Sequence, residues 1–335
     1  MTSRQRTVLL SRTILAAVLA GFLIPTPAAA EQVLISTAFQ DDFFFGHDGG
    51  GYSSGLFISR MRATSPGEDG VAPPWLLSPL VGWLGMPRST LAATSLSQII
   101  VTPRDISRTD PDPGDAPYLG ALSLRSTHVQ VQNDVADMLS LDLGVIGPAS
   151  GAARTQRFAH RLIGSEEPQG WDKQVSGKLL IGIERYRAWR WGGSTATSAG
   201  ASTDAIVLLG GTLGNLQTSA GGSVLLRYGE GLADSFGTVA RITGRTGDPF
   251  VIGRGWFAYT GVSGDRFFSH FGIGDEAGPA NKAQLRKSQF IGLAGIAYGW
   301  GNSSLSFSLQ SASPLVESSG NRQSFGSITY TWRIH

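Results

Sequence analysis

Hydrophobic and polar residues alternate along many segments of the chain, which is typical of β-strands with two different faces. In the segment 138–147, Leu139, Leu141 and Leu143 alternate with small or polar residues. Roughly twelve segments of this kind follow one another, separated by Gly, Ser, Asn and Asp, as in outer-membrane barrels. The last one, 328–334, has an apolar face formed by every second residue. The pattern therefore predicts an all-β fold.

Composition favours a barrel in a membrane over a soluble β protein. Charged residues make up 16% of the chain, against roughly 25% in soluble domains. Glycine accounts for 45 of 335 residues, nearly twice its usual share of about 7%. After residue 30 there is no apolar run long enough for a spanning helix, so a membrane protein of this sequence must close its strands. We predict a transmembrane antiparallel β-barrel of roughly 12 strands; alternation alone leaves a soluble β-sandwich open.

The first thirty residues have the three parts of a secretory signal. Arg4, Arg6 and Arg12 precede an apolar run, Ile14 to Ile24, which is followed by a segment rich in Pro and Ala. We predict a signal peptide at 1–30 and a single barrel domain at 31–335. Removing this segment leaves 24 basic and 25 acidic residues, so we expect no nucleic-acid partner. The absence of Cys excludes thiol chemistry and disulfides.

Three stretches interrupt the strand pattern. The segments 66–87 and 104–117 are rich in turn residues and are predicted to be extracellular loops. The segment Ala152–Ile163 consists of helix formers between two glycines, Gly151 and Gly164. It predicts a short helix in an extracellular loop between two strands.

The predicted helix carries residues that could perform acid–base chemistry. Gln156 and His160 are four residues apart, so both project from one face of the helix. Glu166 and Glu167 follow closely enough for one carboxylate to fold back towards that face. These residues could supply a general base, an orienting amide and an acidic metal ligand. A surface helix with an incidental histidine remains the alternative.

A second polar cluster lies near the predicted mature N-terminus. Asp41 and Asp42, preceded by Gln40, end the first strand, and a hairpin would bring Ser53 beside them. Oxygen donors at a barrel rim suit a hard cation such as calcium, although a solvated strand end is the alternative. The sequence has no Gly-x-Ser-x-Gly, no phosphate-binding Gly loop and no His-Glu-x-x-His. We therefore favour attack by a water molecule, assisted by a base and a metal.

Two sets of motifs stand out along the chain. The first, near the predicted mature N-terminus, is Gln40-Asp41-Asp42, followed by Tyr52-Ser53-Ser54-Gly55-Leu56. The second is longer and more specific and comprises Leu143-Gly144-Val145-Ile146-Gly147-Pro148-Ala149-Ser150-Gly151, Gln156, Ala159-His160-Arg161-Leu162-Ile163-Gly164, Glu166 and Gly170-Trp171-Asp172-Lys173-Gln174. In these motifs, and along nearly the whole predicted mature sequence, the chain resembles the outer-membrane lipid A 3′-O-deacylases.

This resemblance implies a twelve-stranded barrel whose calcium-dependent site lies near the outer leaflet, between the wall and a loop helix. It implies His160 as the general base that activates water and Gln156 as an orienting residue. It implies Asp41 and Glu166 as residues around the metal. Ser53 stands where the family has Thr or Ser and is included among the catalytic residues.

The resemblance also assigns residues to the substrate. Arg108 falls where the family has a basic residue for substrate anions. Gln40 stands where the family pattern has Asn, beside the metal and the substrate. Its side chain is longer than that of Asn, which changes the ligand geometry that the family pattern implies there. Ala116 stands where the family commonly has Arg, which removes a cation that could bind a phosphorylated sugar.

We therefore expect a monomeric carboxylic ester hydrolase of the cell outer membrane that removes an acyloxyacyl chain from lipid A of lipopolysaccharide. Calcium is the expected cofactor. Two alternatives remain: a catalytically silent outer-membrane barrel or porin, and an outer-membrane phospholipase-like esterase with the same base and metal but another lipid.

Overall fold

The computed structural model describes residues 31–42, 50–64, 69–192, 200–239, 248–273, 282–320 and 322–334. The predicted signal peptide at 1–30 lies outside these residues. None of the helices in these parts of the chain has the length and apolar character needed to cross a membrane.

Twelve antiparallel strands form a closed barrel in which each strand pairs with its neighbours in sequence and β1 pairs with β12. This confirms the predicted fold class and strand number. The strands are β1 Gln32–Asp41, β2 Gly51–Ala63, β3 Leu91–Thr102, β4 Leu119–Gln132, β5 Val135–Ile146, β6 Lys178–Gly192, β7 Ser202–Gly214, β8 Gln217–Gly229, β9 Gly255–His270, β10 Ser288–Trp300, β11 Ser303–Ala312 and β12 Gln323–Arg333.

Alternation along each strand separates an outer face from a lumen face, as predicted. In β12, Ile328, Tyr330 and Trp332 are exposed on the outside, whereas Thr329 and Thr331 are buried in the lumen. The apolar outer face suits a hydrocarbon environment, and the polar lumen residues find hydrogen-bond partners inside the barrel.

The barrel has two different ends. We call the end where β1 begins and β12 ends the terminal end, and the opposite end the loop end. Because strand direction alternates, the connection containing 104–117 and the one containing Ala152–Ile163 both lie at the loop end. The connection containing 66–87 follows an even-numbered strand and lies at the terminal end. The prediction that this segment is an extracellular loop, beside the other two, is therefore wrong. Composition identifies a loop, but the number of strands that precede it decides at which end of the barrel it lies.

This terminal-end connection carries the short helix α1, Ser78–Trp83, and lies against the outer wall. Leu77 and Val81 are fully buried and pack with Leu139, which faces outward from β5. Apolar contact with the lipid-facing wall thus holds the segment around α1 in place.

Aromatic residues mark both ends of the outer surface. The aromatic residues near the strand ends at the terminal end are Trp189, Trp191, Tyr228, Trp256, Tyr298, Trp300 and Trp332. At the loop end the exposed aromatics on the strands are Phe39, Phe268 and Phe290. Tyr and Trp are the residues expected at a membrane–water boundary.

The lumen near the terminal end is filled by apolar side chains. The connection between β8 and β9 includes the helical turn α3, Phe236–Val239, and its buried residues Phe236 and Phe250 join the main core cluster. Asp248 fixes this connection because its carboxylate accepts hydrogen bonds from Ser308 (2.6 Å) and Thr329 (3.0 Å) on the lumen face. A packed lumen of this kind disfavours the porin alternative.

Nearer the loop end the lumen holds a cavity of about 230 Å³ that is lined by both polar and apolar side chains. Arg125 spans its wall and donates to Asp142 (2.9 Å) and Glu184 (2.9 Å) on the next two strands. A second apolar cluster, which includes Ala116 and Val316, caps the cavity at the loop end. The polar part of the lumen thus lies between two apolar layers.

We expect the buried pair Arg227–Asp204 to be essential for stability. Both side chains are fully buried, and Arg227 Nε donates to Asp204 Oδ1 at 2.9 Å. Asp204→Leu leaves the Arg227 charge without its partner, which costs about 3–5 kcal/mol. The measurement is the free energy of unfolding in urea, with Asp204→Leu/Arg227→Met as the matched double variant that recovers most of the loss. Wild-type stability of the single variant would contradict this account.

Candidate functional site

The loop-end helix α2, Ala152–Ile163, has the boundaries that the sequence predicted. Gly151 (φ 73°) and Gly164 (φ 72°) flank it in the left-handed region, where glycine carries no Cβ penalty. A turn of 3₁₀ helix, Pro148–Ser150, leads into it from the end of β5. The two glycines therefore fix the length and direction of the helix.

Helix α2 lies outside the barrel, against the outer faces of β3 and β4. Gln98 on β3 donates to the Ser150 carbonyl at 2.7 Å, and Ile100 packs with Ala152. Gly120 on β4 allows this close approach, because a Cβ there would lie 2.3 Å from the Cβ of Ala152. The wall and the helix are therefore in direct contact.

The face of α2 that meets the wall carries the predicted catalytic pair. Gln156 and His160 are both buried there. His160 Nδ1 lies 2.5 Å from the backbone carbonyl oxygen of Glu166, which accepts a hydrogen bond and therefore requires the proton on Nδ1. In the neutral ring, Nε2 is then the nitrogen that can accept a proton.

Gln156 is fixed by Trp171, whose indole Nε1 donates to the Gln156 Oε1 at 2.8 Å. Trp171 is 1% exposed and packs on the ring of Tyr118, with 4.9 Å between ring centroids. Burial raises the pKa of the Tyr118 hydroxyl, which donates to the Ile106 carbonyl. With its oxygen engaged, Gln156 has its amide N–H groups left for a substrate or water.

Glu166 contributes to this arrangement through its backbone. Its carbonyl contacts His160, whereas its side chain is exposed. The neighbouring Glu167 carboxylate lies 3.9 Å from Arg161. The sequence suggested that a carboxylate folds back to the histidine face; the observed contact is made by a carbonyl instead.

Asp41 and Ser53 lie on the outer wall at the same end of the barrel. The strand register places them at the same height as the part of the wall against which α2 packs. Asp41 pairs with Ser54, Ser54 with Ile100, and Ile100 with Gly120. The register shifts between Tyr52 and Ser54, so Ser53 is bulged, and its Oγ lies 2.6 Å from Thr102 Oγ1. The hairpin predicted from sequence thus places Ser53 beside Asp41.

Gln40 faces the lumen. It is 1% exposed, and its Oε1 accepts a hydrogen bond from the Tyr52 hydroxyl at 2.7 Å. Because successive strand residues point to opposite faces, Gln40 and Asp41 lie on opposite sides of the wall. A substrate-binding role for Gln40 on the outer face does not fit this position, and the prediction is corrected accordingly.

The loop before β4 carries the remaining predicted positions. Arg108 is exposed, and its backbone carbonyl lies against Gly170, next to Trp171. Its guanidinium donates to the Asp110 carbonyl at 3.1 Å. Ala116, where the family has Arg, is buried among apolar side chains. These apolar surroundings have room for a small side chain, and an arginine at this position would require the neighbouring side chains to rearrange.

The predicted metal ligands are hard oxygen donors. The Asp41 and Glu166 carboxylates are groups that calcium accepts, together with backbone carbonyls and water. Within the described ranges, no group of three or more His, Cys, Asp or Glu residues is positioned to hold a metal ion. The chemical type of the donors suits calcium, whereas their positions in the described part of the chain do not form a ligand cluster, and calcium binding stays a prediction.

Sequence reasoning missed three residues that build the site: Trp171, Gln98 and Thr102. Trp171 lies within the motif that carried the resemblance, but no role followed from its position. Gln98 and Thr102 are polar residues on the outer face of β3, where lipid-facing strands carry apolar ones. Polar interruptions of an outer face are a signal that could have identified both.

Comparisons with known proteins agree with this architecture. The family model described as "Outer membrane protein LpxR" matches residues 14–334. No curated protein sequence matches the chain. The solved structure of LpxR from Salmonella typhimurium superimposes with a TM-score of 0.72 at 17% identity, covering 89% of this chain and 99% of that one.

Other solved barrels superimpose less well. The KdgM porin gives a TM-score of 0.37 at 6% identity, covering 90% of this chain and 99% of the porin. The translocator domain of the autotransporter NalP from Neisseria meningitidis gives 0.42 at 11% identity, covering 99% of this chain and 97% of that domain.

We predict that Gly120→Val loosens α2 from the wall while the barrel remains closed. Overpacking costs about 1–3 kcal/mol, so trypsin cleavage within α2 should become about tenfold faster. The measurement is the rate of cleavage after Arg157, followed by mass spectrometry. Gly292→Val is the matched control, because a Cβ at Gly292 has open space. Equal cleavage rates in the two variants would contradict the close packing.

Proposed function

Because this chain belongs to the LpxR outer membrane protein family, we propose that it is an esterase that removes an acyloxyacyl chain from lipid A. The observation that carries the proposal is the fixed pair His160–Glu166 carbonyl on the outside of the barrel. A base in this position serves a substrate that stays in the membrane, whereas a base in the lumen would serve one that enters a pore.

The reaction is hydrolysis of an ester. His160 Nε2 takes a proton from a water molecule as the water oxygen attacks the acyl carbonyl carbon. The bond between that carbon and the ester oxygen then breaks, and the proton passes from His160 to the leaving oxygen. The products are a free fatty acid and a lipid A hydroxyl group.

Gln156 and Ser53 are proposed to act on the reacting groups by hydrogen bonding. The Gln156 amide, held through its oxygen by Trp171, directs its N–H groups to the developing oxyanion or to the water. The Ser53 hydroxyl, whose oxygen lies 2.6 Å from Thr102 Oγ1, is proposed as a further polar group on the same outer wall. Exposed Arg108 is proposed to bind the anionic groups of lipid A.

Calcium is the proposed cofactor, with Asp41 and Glu166 as the carboxylates that would hold it. When bound, such a cation polarises the ester carbonyl and stabilises negative charge on its oxygen. Glu166 would then serve the site twice, through its side chain and through the carbonyl that orients His160.

A phospholipase-like esterase is the competing reading, because the base and the metal donors are compatible with any ester in the leaflet. The family membership favours lipid A. The apolar packing of the lumen disfavours a porin.

We expect His160→Ala to abolish deacylation, since it removes the only base in the proposed mechanism. The measurement is mass spectrometry of lipid A from cells that express the wild-type or variant chain. Rate losses of about 10²–10⁴ accompany removal of a general base. Thr155→Ala, on the exposed side of the same helix, is the control and should deacylate like wild type.

Full activity of His160→Ala would reject the base assignment. If cells that express the wild-type chain keep their lipid A unchanged but lose acyl chains from their phospholipids, the phospholipase-like alternative is established. Unchanged lipids of both kinds would indicate a catalytically silent barrel.

We expect activity to depend on calcium and on Asp41. Chelator should remove activity, and added calcium should restore it. Asp41→Asn keeps the size of the side chain but removes its charge, so it should raise the calcium concentration that gives half-maximal activity about tenfold or more. Activity that persists in chelator, or an unchanged calcium requirement in Asp41→Asn, would contradict the proposed ligand role.

A further inference from the structure

Helix α2 is amphipathic in the reverse sense of a helix on a soluble protein. The face against the barrel carries the polar residues Gln156 and His160, which are buried. The outward face carries Phe158 and Leu162, which are 63% and 75% exposed and are one helical turn apart. Large apolar side chains of a helix normally point to the core.

The position of α2 indicates which environment covers this outward face. The helix packs on the outer faces of β3 and β4, so its far side points away from the barrel. At the same end of the barrel, Phe39 and Phe290 are exposed on the lipid-facing wall. The apolar side of α2 therefore continues the apolar surface that the strands present to lipid.

The charges on the helix support the same placement. Arg154 and Arg161 are exposed and lie on the outward half of the helix beside Phe158 and Leu162, and Arg161 Nε is 3.9 Å from the Glu167 carboxylate. Helices that lie in a membrane interface combine apolar residues with basic ones, whose long side chains reach the headgroups. Arginine also binds phosphate groups well.

We propose that α2 lies in the boundary between headgroups and acyl chains of the outer leaflet, with Phe158 and Leu162 inserted among the acyl chains. Its outer surface then guides lipid substrates to His160 at the depth of their ester bonds. The guiding role rests on the proposed function, whereas the insertion does not.

The insertion is tested directly because the chain contains no cysteine. Leu162→Cys is labelled with an environment-sensitive fluorophore, and the protein is reconstituted in phosphatidylethanolamine–phosphatidylglycerol vesicles. Leu226→Cys, on the outer face of β8, is the lipid-exposed control, and Asp110→Cys, in an exposed loop, is the water-exposed control. We expect nitroxide-labelled lipids to quench position 162 like position 226.

Quenching of position 162 only at the level of position 110 would overturn the insertion. This measurement does not require enzymatic activity, so it remains decisive even when wild-type protein fails to deacylate lipid A. Failure of the proposed function and failure of the insertion are therefore distinguishable.

The guiding role is tested with the double variant Phe158→Ser/Leu162→Ser. Membrane insertion weakens when apolar area is lost, so we expect deacylation of lipid A in vesicles to fall about tenfold. The loss should be smaller for lipid A dispersed in excess detergent. Phe158→Leu/Leu162→Ile keeps the apolar surface and should retain most of the vesicle activity. Equal losses in vesicles and detergent would overturn the guiding role.

Discussion

The pairing of β1 with β12 is the constraint on which the rest of the structure depends. Without water in the membrane, every strand must find hydrogen-bond partners on both sides, and closure provides them for all twelve. Closure also fixes the register, and the register fixes which residues face lipid and which face the lumen. A single-residue slip would exchange the two faces, placing Thr329 and Thr331 in lipid and Ile328 in the lumen. The location of the candidate site outside the wall follows from this register.

Within that frame the candidate site is a local exception to an apolar surface. Asp41, Ser53 and Thr102 are polar positions on an outer wall that is otherwise suited to lipid, and each would be unfavourable there without a partner. Helix α2 and the Trp171 segment cover part of this wall, and Gly120 allows the helix to approach it closely. The arrangement needs both a small residue on the strand and a polar helix face, which explains why Gln156 and His160 point inward while Phe158 points outward. The candidate site is therefore formed by direct packing of the helix and the Trp171 segment on the outer wall.

The sequence predicted those features that depend on local chemistry. Strand alternation placed Leu139, Leu141 and Leu143 on one face of β5, and the pair Gly151 and Gly164 marked both ends of α2. Features that depend on closure were not accessible in the same way. The 66–87 connection is rich in turn residues, but it lies at the terminal end because it follows an even-numbered strand. Gln40 lies in a polar segment, but the strand register directs it to the lumen. Nor does composition reveal that a backbone carbonyl, at Glu166, orients His160, because every residue carries one.

The outer position of the site also has an energetic reason. Moving an acyl chain from the leaflet into water costs about 0.8 kcal/mol per CH₂ group, so a twelve-carbon chain would cost roughly 9 kcal/mol. An esterase with its base in the lumen would meet this cost for each substrate molecule, in addition to opening the apolar layers that close the barrel. A base on the outer wall meets the ester where the lipid already lies. The reversed polarity of α2 agrees with the proposed function, in which the inner side of the helix faces the reacting water and its outer side faces acyl chains.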